Sequence, residues 1–152
     1  MTHTTLPSAG LGRRLAALVY DGLLLAAVYM VIGAIWVAIF QALLGHQPES
    51  GLPRQLTLFP LLVLVTYGYY GWCWKRTGQT LGMKTWGIRV ETIDLPPQML
   101  DWGRTLRRMV AGALNWLIFG TGYLLLYFND EKLTLVDQLS STRVVLVPRQ
   151  KK

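Results

Sequence analysis

Of 152 residues, 52% are hydrophobic and only 15% charged, yet the formal net charge is +7. Soluble domains run nearer about 25% charged, so neither a disordered chain nor an ordinary soluble domain fits, and the length suits one domain. The lone cysteine, Cys73, rules out an intramolecular disulfide and a thiolate zinc site. The composition implies an integral membrane protein, all-α in its spans, with apolar runs separated by basic segments.

A short tail, residues 1–14, carries His3, Arg13 and Arg14. The first apolar run, Leu15 to Leu44, holds one ionisable side chain, Asp21. At 1.5 Å per residue it makes roughly 45 Å of helix, more than a hydrocarbon core of about 30 Å. It is too long for a signal-peptide core, and the residues around Arg13-Arg14 fit a twin-arginine signal badly, so it reads as a retained transmembrane helix. A loop over 45–55 with His46 and Arg54 follows. The second run, Leu56 to Trp74, has no charge. Pro60 falls in its first turns, where a missing N–H costs little. Its end, Tyr67 to Trp74, reads as an interfacial aromatic belt.

The segment from 75 to 108 is more than a linker. Thr77 to Lys84 predicts a short interfacial helix, and Trp86 to Ile93 alternates as a strand does, stopped by Asp94-Leu95-Pro96-Pro97. Asp101 is a good N-cap for a helix that sets Arg104, Arg107 and Arg108 on one face. That face either lies on anionic headgroups or supplies an arginine to a buried carboxylate or an anionic substrate. The third apolar run, 109–128, is cut by Gly120-Thr121-Gly122 and reads as a re-entrant hairpin or a single span. In the tail, 129–152, Thr142 to Val147 is the other strand-like segment. Pairing it with Trp86 to Ile93 would satisfy both edges and make a small two-stranded cytoplasmic element.

Lysines and arginines number two before the first run, one in the 45–55 loop, seven over 75–108 and five after 128. The positive-inside rule therefore sets the N-terminus and the 75–108 loop in the cytoplasm. A single third crossing would export the basic tail against that rule, which favours the hairpin and a cytoplasmic C-terminus.

Asp21 is the exception to an uncharged span. An intramembrane carboxylate costs about 2.5–3.5 kcal/mol on insertion scales and is usually paired. Arg14, two turns before it on the same face, reaches it only partly, and Arg104, Arg107 or Arg108 could supply a second partner. The outcome is either a salt bridge that fixes helix register or a protonatable or cation-binding site.

Three segments carry a family resemblance: Arg14-Leu-Ala-Ala-Leu-Val-Tyr-Asp21, Gly78-Gln-Thr-Leu-Gly-Met-Lys-Thr-Trp-Gly-Ile-Arg-Val90, and Leu133-Thr-Leu-Val-Asp137-Gln-Leu-Ser-Ser-Thr142-Arg-Val-Val145. In order and content they resemble the RDD family of bacterial membrane proteins. Arg14, Asp21 and Asp137 match the arginine and two aspartates of the family's name. Ser140-Ser141 stands where Ala-Gly is common, and Met83 also departs from the usual pattern. The resemblance implies a multi-pass inner-membrane protein for which transport, including cation or proton exchange, has been suggested. It also implies that Asp137 could join Arg14 or the Arg104–Arg108 face in an Arg-Asp-Asp cluster, serving as a clasp or an ion-handling gate.

Zincin, phosphate-loop and nucleophile-elbow motifs are missing, so no catalytic residue, metal ligand or cofactor site is expected, and no enzyme. The basic surplus follows topology, which leaves nucleic acid without support as a partner. Two readings remain: a transport component built around a proton- or cation-handling Arg14, Asp21 and Asp137, or an accessory subunit that assembles an envelope membrane complex. Either one implies a homo-oligomer or a membrane-protein partner, with anionic lipid at the cytoplasmic face.

Overall fold

The computed structural model describes residues 6–44, 51–94, 96–118, 120–123, 125 and 133–147. His3, His46, the polar turn Asn129 to Lys132 and the last five residues lie outside them. Two helices carry most of the chain: α1, Leu11–Leu44, and α2, Gly51–Arg76. Their 34 and 26 residues give about 51 and 39 Å of helix, each longer than a hydrocarbon core of about 30 Å. Both are long and apolar enough to cross a membrane and are almost bare of protein contact along their apolar windows. Leu23, Met30, Ile35, Phe59 and Leu64 stay exposed, a surface that lipid or another protein must cover.

Both helices extend past the apolar runs that predict them. Since α2 begins at Gly51, Pro60 lies inside the helix and not in its first turns, leaving the Leu56 carbonyl without its intrahelical donor. Within the apolar zone, the hydroxyls of Tyr29 and Thr66 bond across α1 and α2, and Thr66 also donates to the Leu62 carbonyl at 2.7 Å.

At one end of this pair the rest of the chain forms a small packed cap. Thr80 N-caps the short helix α3, Leu81–Thr85, its side chain accepting from the Met83 amide. Gly87, at φ +62°, turns the chain into β1, Ile88–Thr92. Asp101 N-caps α4, Trp102–Leu117, accepting from the Arg104 amide at 2.7 Å. A turn at Gly120, φ +72°, and a 3-10 turn over Thr121–Tyr123 end that segment. A capping box at Thr134 then opens α5, Leu135–Leu139, which leads to β2, Thr142–Leu146.

The two strands pair antiparallel, with Val90 opposite Val144 and Glu91 opposite Arg143. The pairing expected from two isolated edges is thus present. The N-terminal segment adds to the far edge of β2 through Ala9 N to Val144 O and Leu146 N to Pro7 O, both 2.9 Å. Residues 7–9, 78–92 and 142–146 therefore share one end of the helix pair. Their core is Ala9, Ala17, Trp74, Ile88, Val90, Leu100 and Val144.

The third apolar segment has a different boundary from the expected 109–128. The basic amphipathic stretch and the apolar stretch are one helix, α4, because nothing between Asp101 and Leu117 breaks it. At 16 residues it is about 24 Å long, less than a crossing needs. Gly122 fits between Asn115 and Leu135, where a β-carbon would overlap both, so the chain doubles back closely onto α4.

Candidate functional site

Two polar clusters lie buried at the capped end. The first joins α1, α4 and α5. Asp137, fully buried, takes an ion pair on each carboxylate oxygen: Arg14 Nη1 on Oδ2 and Arg108 Nη1 on Oδ1, the latter at 2.8 Å. The Thr134 amide donates to the same Oδ2 at 3.2 Å, so the capping box holds the carboxylate in place. Arg14 points back toward the helix N-terminus, as helical Cα–Cβ bonds do, and its Nε reaches the Ala9 carbonyl at 2.9 Å. Its Nη2 donates to Ser8 Oγ at 3.2 Å and to the Val144 carbonyl at 3.3 Å. Arg108 also donates to Thr142 Oγ1, and its guanidinium lies 5.4 Å from the Trp74 ring centroid.

Burial pushes the Asp137 carboxyl up, but the guanidinium groups of Arg108 and Arg14 and their hydrogen bonds outweigh it and hold it below the usual carboxylate range. The site is therefore a permanently ionised clasp that ties the first helix, the amphipathic helix and the C-terminal signature together. With one carboxylate against two guanidiniums, the trio carries a net charge of +1.

The second cluster surrounds Asp21, which is 2% exposed. Its Oδ1 accepts from the Tyr69 hydroxyl and from the Gly82 amide, both at 2.9 Å, and its Oδ2 accepts from Thr80 Oγ1. All three donors are neutral. Gly82 permits the approach: a β-carbon there would strike the Ala17 carbonyl oxygen and the Asp21 carboxylate. The loop after α2 thus docks on α1 through one carboxylate.

Asp21 takes no ion pair among the described residues, so the expected partnership with Arg14, Arg104, Arg107 or Arg108 is corrected. Seven residues separate Arg14 from Asp21, about 10 Å of rise, and Arg14 reaches the opposite way. The three arginines of α4 part company. Arg108 is buried in the clasp, Arg104 lies 2.6 Å from the exposed Asp94, and Arg107 is exposed. Only the outer part of the predicted lipid-facing stripe remains available to headgroups. The aromatic belt divides in the same way: Trp72 is 59% exposed, whereas Trp74 is buried under Arg108 and Tyr69 serves Asp21.

Although the clusters do not touch through an ion pair, they share a cavity of about 250 Å³. Arg14, Arg108 and Asp21 line it with Thr66, Tyr70 and Trp74. Among the described residues no group of His, Cys, Asp and Glu could hold a metal ion.

The model of the RDD family matches residues 8–141, nearly the whole chain, a range that includes Arg14, Asp21, Arg108 and Asp137. The chain belongs to the RDD family. No curated protein and no solved structure matches it. Family membership and the two long apolar helices together mark a membrane protein. Of the three residues through which the sequence resembles the family's name, Arg14 and Asp137 meet in the clasp and Asp21 anchors the loop after the second helix. Sequence reasoning missed Tyr69, Thr80, Gly82 and Thr142 as partners. Only the threonine N-cap before Leu81 and the glycine next to it gave a local signal.

Proposed function

We propose that this RDD protein is a multi-pass component of a bacterial inner-membrane transport system, with Asp21 as its proton- or cation-handling group. The observation that carries this reading is a buried carboxylate on a cavity wall, held by three neutral donors and no cation among the described residues. Such a group offers negative charge inside an apolar span, which is where ion pathways place their carboxylates. Arg14, Asp137 and Arg108 act as the clasp that fixes the cavity's shape, because both oxygens of Asp137 are already committed to arginines.

The orientation in this proposal has the N-terminus, residues 75–108 and the C-terminal strand in the cytoplasm, with α4 and the Gly120–Gly122 turn forming a re-entrant hairpin. Fourteen of the fifteen basic residues then lie on the positive-inside side. Two bare helices enclose no pathway by themselves, so the working form is an oligomer or a complex with another membrane protein. That same bare surface supports the second reading, an accessory subunit of an envelope complex.

Proteoliposome flux of protons, sodium and potassium separates the readings. Wild type should conduct or exchange at least one of them, and Asp21→Asn should abolish the flux while the purified protein keeps its melting temperature. Absence of flux for all three ions, with stable co-purification of a membrane protein, favours the accessory role.

A further inference from the structure

The shared cavity holds charge of both signs, and neither charge is fully used. Asp21 has three of its roughly four acceptor positions filled. Arg108 bonds only through Nη1, and its Nε and Nη2 take no hydrogen-bond partner among the described residues. Of the charged residues on the cavity wall, Arg14 and Arg108 are basic and already paired with Asp137 behind them, and Asp21 is acidic, so a ligand with one sign of charge would leave a wall residue of the other sign unanswered. A zwitterion would not.

The rest of the lining narrows the ligand. Leu18, Met83, Met109 and Val136 make much of the wall apolar, and Tyr70 adds an aromatic ring that suits an ammonium group. A volume of about 250 Å³ is just below the common range for small-molecule pockets, about 300–1,000 Å³, and suits a headgroup-sized moiety. The cavity lies between α1, α2 and α4, where the long helices enter the cap, so an acyl chain could extend from it along the bare helix surface.

We infer that this cavity binds a zwitterionic amphiphile of the phosphoethanolamine class, its ammonium on Asp21 and its phosphate on the free edge of Arg108. The inference rests on Asp21 as the cation-handling carboxylate and names the cation as an organic ammonium joined to an anion. It requires no transport.

Native mass spectrometry of the detergent-solubilised full chain tests it. The protein is titrated with dihexanoyl phosphatidylethanolamine, dihexanoyl phosphatidylglycerol and water-soluble O-phosphoethanolamine. The zwitterionic lipid should bind at least about tenfold more tightly than the phosphatidylglycerol, the value of one charge-assisted hydrogen-bonded contact. Asp21→Asn should remove that preference. Gly112 lines the cavity and a β-carbon there meets nothing within 4 Å, so Gly112→Leu should fill the space and abolish binding without lowering the melting temperature. Equal binding of the two lipids by wild type, or undiminished binding by Gly112→Leu, overturns the inference. Free O-phosphoethanolamine binding as tightly as the lipid overturns the amphiphile in favour of a soluble zwitterion. Binding without ion flux leaves this site standing and removes the transport reading, whereas flux without binding does the reverse.

Discussion

Arg14 and Asp137, 123 residues apart in sequence, form a buried ion pair that closes the first helix onto the C-terminal signature. Arg108 completes the pair from the opposite carboxylate oxygen. Two guanidiniums and one carboxylate out of water are costly, and Thr134, Thr142, Ser8 and two backbone carbonyls offset much of that cost by bonding to them.

Breaking the clasp should therefore be costly. Asp137→Asn leaves two buried arginines without a counter-charge, for which a loss of about 3–5 kcal/mol is expected. Thermal melting in detergent should show Asp137→Asn and Arg14→Ala as the least stable variants, and in a double-mutant cycle their effects should be strongly non-additive.

The pH dependence has a definite sign. Asp137 is held below its unfolded value of about 3.9, so its contribution is complete above that pH and disappears as pH falls through the lower folded value. The melting-temperature difference between wild type and Asp137→Asn should be flat from about pH 5 to 8 and shrink below about pH 4. A difference that changes around neutrality would contradict a permanently ionised clasp.

Neighbouring glycines should respond oppositely to alanine. Gly82→Ala drives a methyl into the Ala17 carbonyl and the Asp21 carboxylate, and overpacking of this kind costs about 1–3 kcal/mol. Gly22→Ala, next to Asp21 in α1, meets nothing within 4 Å and should be neutral or slightly stabilising. Melting curves of the two variants, with limited proteolysis of the 77–100 loop, compare them directly.

Ser141 has φ 50°, a left-handed conformation that costs a non-glycine residue about 1–2 kcal/mol. It is exposed, so Ser141→Gly removes the strain without losing packing. Glycine's extra freedom in the unfolded chain offsets part of the gain, leaving an expected rise of up to about 1 kcal/mol in thermal or denaturant unfolding.

Much of this architecture is legible in the sequence because it rests on local chemistry. Hydropathy marks α1 and α2, polar–apolar alternation marks β1 and β2, and Asp101 marks the start of α4, whereas the short helix expected over Thr77 to Lys84 starts later, after Thr80. The partnerships are not local and so escape it. Arg104, Arg107 and Arg108 share a helix face, but the cap buries one edge of that face and so takes Arg108 alone. Tyr69 and Trp74 look like interfacial anchors until the loop after α2 folds back over them. Ser141 stands out only once its backbone angle is known.

The most direct test is the side of the membrane that carries the C-terminus, because β2 must meet β1 and Asp137 must meet Arg14. Fusions of alkaline phosphatase and of green fluorescent protein after Lys152 report it in bacterial cells. The account predicts inactive phosphatase and bright fluorescence, with the same result for fusions within the 75–100 loop. Active phosphatase at the C-terminus together with a cytoplasmic 75–100 loop would separate the two strands and contradict the clasp.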